Sequence, residues 1–520
     1  MADKDAFVKL VQEGYTFKGE HFRIGTAMLG GEVVTGTEVL LPLRTMNRHG
    51  LIAGATGTGK TKTLQVIAEG LSNASVPVLL MDIKGDLSGI AVAGTENDKI
   101  RERISKIGGS YSPTGYPVEL LTLSNEKGVR LRSTVTEFGP ILLSKILGLN
   151  TTQEGVVAMI FKYCDDNGMP LLDLKDFIKV LQYAGNEGKT LIEKDYGKIS
   201  TSTTGTILRK VIELQQQGAD VFFGEPSFEI DDLLRIGDDG RGMISVLRVT
   251  DMQSKPKLFS TFMLSLLAEL YATMPEEGDM DKPKFIMMID EAHLVFQEAT
   301  EALLQQIETV IKLIRSKGVG IFFCTQNPQD IPASVLSQLG FKVQHALRAF
   351  TAADRKTIKQ AAQNYPETSF YDVDESLTQL GIGEAFITML NEKGIPTPLV
   401  HTMLVPPQSR MDILSDTEID SLVTKSKLAK KYQETEDSES AYEILNEKIK
   451  EAAAKSEERQ EEKKTSKRPE KSTMEKVLDS SVTRQIGRTA ANLITRSLLG
   501  ALGLGGRSTT RKRKNTGSWF

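Results

Sequence analysis

The chain has 520 residues, 40% of them apolar and 25% charged, with a formal net charge of −4. These values fit a soluble globular protein of two to four domains and argue against a dedicated duplex-coating protein, though a ring motor needs positive potential only along its channel. Two distant cysteines, Cys164 and Cys324, and five scattered histidines leave no disulfide framework and no zinc-ligand spacing.

The N-terminal stretch MADKDAFVKLVQEGY has no apolar core like that of a secretory signal, and no run approaches the roughly 18 apolar residues of a membrane span, so a cytoplasmic location is expected. Residues 1–45 read as a short, mixed N-terminal segment with turns at Gly30-Gly31 and Gly36. Leu51-Ile52-Ala53 is a strand that runs into a Gly-rich loop and a helix. Val78–Asp82 and Val118–Leu123 are further buried strands, and residues 46–134 form the first part of a core. Residues 135–240 read as a helical insertion. Strands resume at Met243–Arg248, Phe285–Ile289, Gly320–Cys324, Val343–Leu347 and Ala385–Met389, within a second part of the core at 241–415. Short apolar runs between helices predict an α/β fold with a mainly parallel sheet covered on both faces.

After Pro406-Pro407 the composition changes. Residues 416–479 interleave Glu, Lys, Ala and Gln, which predicts a charged, solvated helical linker or stalk. From Ser480 to Phe520 there are no acidic residues. Val482, Ile486, Ala490, Leu493, Ile494 and Leu498 fall near helical spacing beside several arginines, forming a basic amphipathic tail. Such a tail suits a protein partner, nucleic acid or an anionic membrane surface, and equally a frayed end.

The most specific signal is Gly54-Ala55-Thr56-Gly57-Thr58-Gly59-Lys60-Thr61, followed by Lys62. It matches G-x-x-x-x-G-K-[ST] between a strand and a helix. Glycines let backbone N–H groups turn toward phosphates, and the helix N-terminus adds partial positive charge. Lys60 is placed for the β- and γ-phosphates of ATP, and the Thr61 hydroxyl for Mg²⁺. The strand Phe285–Ile289 ends in Asp290-Glu291. There Asp290 is expected to hold the metal's water shell and Glu291 to orient and deprotonate the attacking water. His293 reads as a link to substrate or as a packing residue. The strand Ile321–Cys324 ends in Thr325-Gln326, and Gln326 suits a sensor of the γ-phosphate. Asp82-Ile83-Lys84-Gly85-Asp86 ends a strand too. Asp82 is readable as a metal-shell or turn residue, and Lys84 as reaching phosphate or DNA. Lys and Arg near 200–210 are candidates for lining a channel.

Asp290-Glu291-Ala292-His293 spells the tetrapeptide of two-domain helicases, but those chains place it much nearer the P-loop than residue 290 stands from Gly54–Thr61. After Gln326 too little strand-bearing chain remains for a second motor domain, and no Q-x-x-G-R-x-G-R motif follows. A single motor domain takes its arginine finger from a neighbour, which predicts a ring.

GATGTGKTKTLQ, VLLMDIKGDLSG, FIMMIDEAHLVF, GVGIFFCTQNPQDIP and VPPQSR, in this order, resemble the HerA/FtsK branch of P-loop ATPases, specifically the bacterial HerA-like proteins grouped as DUF853. The resemblance covers about residues 20–415, with a weaker echo in the C-terminal segment. It implies a RecA-like core with a helical insertion, homo-hexamers, and ATP-driven DNA translocation or unwinding. Archaeal HerA proteins work with a nuclease. Here the N-terminus reads as too short for their full β-barrel domain, so a partnership of that kind is in question and a nuclease or other protein partner stays open. The resemblance points to Arg315 as the finger acting in trans and to Arg48 as an arginine reaching the nucleotide in cis. Arg348, Arg355 and Arg410 are further candidates. The competing readings are a ring ATPase that moves or remodels protein, and a nucleotide-gated scaffold.

Overall fold

A computed structural model describes residues 3–278, 280–296, 301–436 and 438–465. Twelve strands form one sheet: β1 (His21–Leu29), β2 (Glu32–Pro42), β3 (Gly50–Ala53), β4 (Val78–Asp82), β5 (Val118–Thr122), β6 (Val129–Arg130), β7 (Ile244–Arg248), β8 (Phe285–Ile289), β9 (Val319–Thr325), β10 (Phe341–Gln344), β11 (Glu384–Thr388) and β12 (Val400–Leu404). Their order is β2-β1-β12-β11-β10-β3-β9-β8-β4-β7-β5-β6. The eight strands from β10 to β6 pair in parallel. The four from β2 to β11 pair antiparallel and join this block through β10.

The parallel strands are apolar because both their faces are covered. In β8, Phe285, Met287 and Ile289 pack into the core on one face, with Leu79, Met81 and Phe323. Ile286 and Met288 pack on the other, with Leu64 and Ile67 of the helix Lys60–Asn73. Side chains two apart share a face in a strand, so one five-residue run feeds both cores. The first core continues without a break into the helices Val135–Ile146, Thr151–Asp166, Leu174–Gly185, Lys189–Tyr196 and Thr201–Gln216.

Residues 21–42 are not a detached segment. They form β1 and β2, an antiparallel extension of the main sheet that packs on Leu71 and Val400. The charged region after residue 416 also departs from a plain solvated stalk. It forms the helices Asp416–Lys425, Lys427–Tyr432 and Ala441–Thr465. Tyr432, Ala441 and Leu445 are fully buried in the core that includes the insertion helices. Asp176 fixes the last of these helices by accepting from the Ser440 hydroxyl at 2.5 Å and the Tyr442 N–H at 3.0 Å. Few apolar residues, sparsely spaced, are enough to dock a helix whose other faces are charged. The basic tail from Ser480 lies outside the described residues.

Candidate nucleotide site

The loop between β3 and the helix Lys60–Asn73 opens at the carboxyl edge of the parallel block, where ligands bind in open α/β sheets. Its backbone is pinned to the neighbouring strand ends by Gly54 N–H to the Thr325 carbonyl at 3.3 Å and Ala55 N–H to the Ala346 carbonyl at 2.8 Å. A Cβ on Gly54 would stand 2.5 Å from the His345 Cβ, so no side chain fits there. Gly59 caps the helix at φ 113°, in the left-handed region that glycine tolerates. His345 forms the floor. It is fully buried and pairs through Nε2 with the Thr63 hydroxyl at 2.9 Å. Burial, with the Lys60 charge adding to it, pushes its pKa down to about 3, so the ring is neutral at neutral pH.

Lys60 is buried, and its ammonium donates to the Ala55 carbonyl at 3.1 Å. Burial lowers its pKa and Lys84 adds to that effect, while Asp290 and Glu291 oppose it. Lys62 diverges from the phosphate-binding expectation. Its ammonium donates to the Met411 carbonyl at 2.6 Å.

Strand β9 lies between β3 and β8, so the acids of β8 are delivered with one strand between them and the loop. Asp290 is 1% exposed, and neither of its carboxylate oxygens receives a hydrogen bond of ordinary geometry. Burial raises its pKa and Lys84 opposes the rise. A buried carboxylate left open in this way fits a site for a divalent cation, with the Thr61 hydroxyl at the helix start as the other protein ligand. Glu291 sits at φ 46°, an uncommon conformation for a side-chain-bearing residue and one concentrated at functional sites. Gln326 Nε2 donates to Glu291 Oε1 at 3.5 Å, and His293 Nδ1 lies 3.3 Å from Oε2. Burial raises the Glu291 pKa, but the Lys84 hydrogen bond and charge outweigh it, leaving the acid below its ordinary range. Thr325 donates to Asp330 at 2.6 Å, which sets the turn that presents Gln326. Beyond His293 and Gln326 opens a cleft of about 670 Å³ walled by Phe296, Asn327 and Pro332.

The Asp82–Asp86 turn separates its two open readings. Asp82 accepts from the N–H groups of Gly85, Asp86 and Leu87 at 2.7, 3.1 and 3.0 Å, so it builds the turn. Lys84 turns to the acids of β8: it bonds Glu291 and stands 3.8 Å from Asp290. This contact and the His345 floor were not foreseeable from sequence. Lys84 had a motif to flag it, whereas His345 had no signal at all.

The arginines fall elsewhere. Arg48 precedes β3, at the amino edge of the sheet beside the Asn391–Ile395 turn. The four residues of β3 put it roughly 13 Å from the loop at about 3.3 Å per residue. The expectation that Arg48 touches the nucleotide of its own subunit is therefore corrected. Arg315 opens the turn Arg315–Lys317 before β9, exposed at that same amino edge. Arg410 is held by Glu418 in a two-pronged pair at 3.0 and 2.9 Å. Arg348 is exposed just past the end of β10, and Arg355 lies in the helix Ala352–Ala362 that follows. In the 200–210 region, Lys210 caps the Leu147 and Gly148 carbonyls at 2.8 and 2.9 Å, a structural role in place of a channel.

The family model described as Helicase HerA-like C-terminal matches residues 29–509. The chain belongs to that family. It is 23% identical over 379 residues to the DNA double-strand break repair helicase HerA of Saccharolobus solfataricus, covering 72% of this chain and 68% of that protein. It is 24% identical over 371 residues to the DNA import protein CedB of Sulfolobus acidocaldarius, covering 69% and 52%. Among solved structures, the plasmid coupling protein TrwB in complex with ADP and Mg²⁺ aligns over 78% of this chain and 100% of its own, at 14% identity and a TM-score of 0.49, a likeness that carries no weight here. The RecA-like core follows from the family and from the strand order, with β3, β9 and β8 side by side. Among the described residues no helix is long and apolar enough to cross a membrane.

Proposed function

We propose that this HerA-like chain is an ATP-hydrolysing motor that assembles as a homo-hexameric ring and translocates along or unwinds DNA. The observation that carries the reading is the convergence of Lys60, Asp290, Glu291 and Gln326 at one edge of the sheet. Lys60 and the P-loop N–H groups neutralise and orient the phosphates. Glu291 is the base for the attacking water, and Gln326, 3.5 Å from it, orients that water and reports the γ-phosphate. A divalent cation held through Thr61 and Asp290 supplies charge neutralisation on the β- and γ-phosphates.

Arg315, exposed at the far edge, meets a nucleotide only across a subunit interface. This supports a ring in which each site borrows the next subunit's arginine. DNA as substrate rests on the relatives' names, DNA double-strand break repair helicase and DNA import protein. A cytoplasmic location and a nuclease or other protein partner belong with that reading.

The test is ATP turnover by the purified chain. Glu291→Gln is expected to lose about 10²–10⁴-fold in rate while still binding nucleotide, as removal of a general base does. Lys60→Ala is expected to lose both. Wild-type turnover in either variant would overturn the assignment.

A further inference from the structure

Two acids lie side by side at the end of β8, and the chain places one cation directly on them. Neither Asp290 oxygen receives a hydrogen bond of ordinary geometry, and Glu291 Oε2 has the His293 Nδ1 beside it at 3.3 Å. A buried pair of carboxylates is costly unless neutralised. Lys60 is the other nearby cation, and its ammonium is already bonded to the Ala55 carbonyl at 3.1 Å. Lys84 is the cation that hydrogen-bonds Glu291 and faces Asp290 at 3.8 Å.

The root of Lys84 is fixed and its stem is not. Asp82 ties down the three N–H groups that follow it. Gly85, at φ 77°, packs so close that an added Cβ would stand 3.2 Å from the Thr250 Cγ2. The Lys84 side chain is 30% exposed and has four flexible carbons, so its ammonium is free to swing toward solvent.

We propose that Lys84 is a displaceable counter-cation, which neutralises and restrains Asp290 and Glu291 in the empty site and gives them up when a divalent cation enters. The proposal rests on the ATPase reading. Its consequence for that reading is direct. While Lys84 is bonded to Glu291 Oε1 and His293 Nδ1 stands 3.3 Å from Oε2, the carboxylate is a poorer acceptor of a proton from water, so the site is restrained until a metal binds. The metal's arrival frees the base and completes the charge on the phosphates together. Lys84 is thus a positioning residue, acting through Glu291.

The experiment uses the full chain without nucleotide, with Mn²⁺ as probe, read by electron paramagnetic resonance and by thermal unfolding. Lys84→Met is expected to unfold at lower temperature without metal. It should bind Mn²⁺ about tenfold more tightly than wild type and regain stability on binding, because a competing charge about 4 Å away is gone. Lys84→Arg should behave as wild type, and adding Asp290→Asn to Lys84→Met should abolish the gained binding. Equal Mn²⁺ affinity in wild type and Lys84→Met would overturn the proposal. Should Lys84→Met fail to fold, acylation of Lys84 in the wild type decides: it should rise as Mn²⁺ saturates the site, and unchanged labelling overturns the proposal. Neither readout involves hydrolysis, so failure of the ATPase reading would show separately in the Lys60→Ala and Glu291→Gln rates.

Discussion

Glu291 combines a buried acid, a positive φ and an ion pair in one residue. The backbone conformation is costly for any residue with a Cβ, and it aims the carboxylate at the space above the P-loop. Glu291→Ala and Glu291→Gly both remove the acid, but only glycine is at ease at φ 46°. We expect the glycine variant to be the more stable of the two by about 1 kcal/mol in thermal or denaturant unfolding, even though glycine loses more entropy on folding. A less stable glycine variant would show that no strain is held there. Gly54 offers the opposite case. Gly54→Ala drives a methyl to 2.5 Å from the His345 Cβ, and we expect loss of nucleotide binding with a destabilisation of about 1–3 kcal/mol. The acids and the P-loop were legible because each sits where a short apolar run stops at a charged or Gly-rich step. Lys84's partner was not legible, since a turn residue's direction depends on the bonds Asp82 makes.

At the scale of elements, the segment after β12 binds the site to the rest of the molecule. Glu69, on the P-loop helix, accepts from the Gln408 N–H at 2.9 Å and the Ser409 N–H at 3.0 Å. Glu69→Ala leaves a buried donor and a half-buried one unpaired, and we expect a loss of about 1–3 kcal/mol, measured by denaturant unfolding. The helix Pro256–Thr273 carries a second titratable group, Glu269, whose pKa burial raises to about 8, with Glu137 and Glu229 adding to it. The folded state therefore keeps a proton that the unfolded chain releases near the ordinary glutamate range. Stability should fall as pH rises from about 4.5 to about 8 and level off above that. Glu269→Gln should flatten this dependence and raise stability at pH 8. An unchanged slope would refute the shift. The parallel strands other than the two-residue β6 were readable as buried apolar runs. β1, β2 and β12 were not, because they interleave polar residues and owe their place to pairing at the sheet's antiparallel end. The buried foot of the helix Ala441–Thr465 escaped notice for a similar reason: among its described side chains only Ala441 and Leu445 are fully buried, amid charged neighbours.

For the whole molecule, the sheet separates two chemistries. The carboxyl edge carries Lys60, Asp290, Glu291 and Gln326, while the amino edge carries Arg315 and Arg48. A subunit with its paired acids on one edge and its candidate finger on the other is suited to head-to-tail closure into a ring. Arg48, which the resemblance put beside the nucleotide of its own subunit, shares the amino edge with Arg315. The measurement that tests the account most directly is ATP turnover by the full chain with and without duplex DNA, for wild type and Arg315→Ala. The account predicts that DNA accelerates wild-type turnover and that Arg315→Ala lowers it about 10³–10⁵-fold, as loss of an arginine finger does, with nucleotide binding retained. A rate indifferent to DNA and to Arg315 would contradict it.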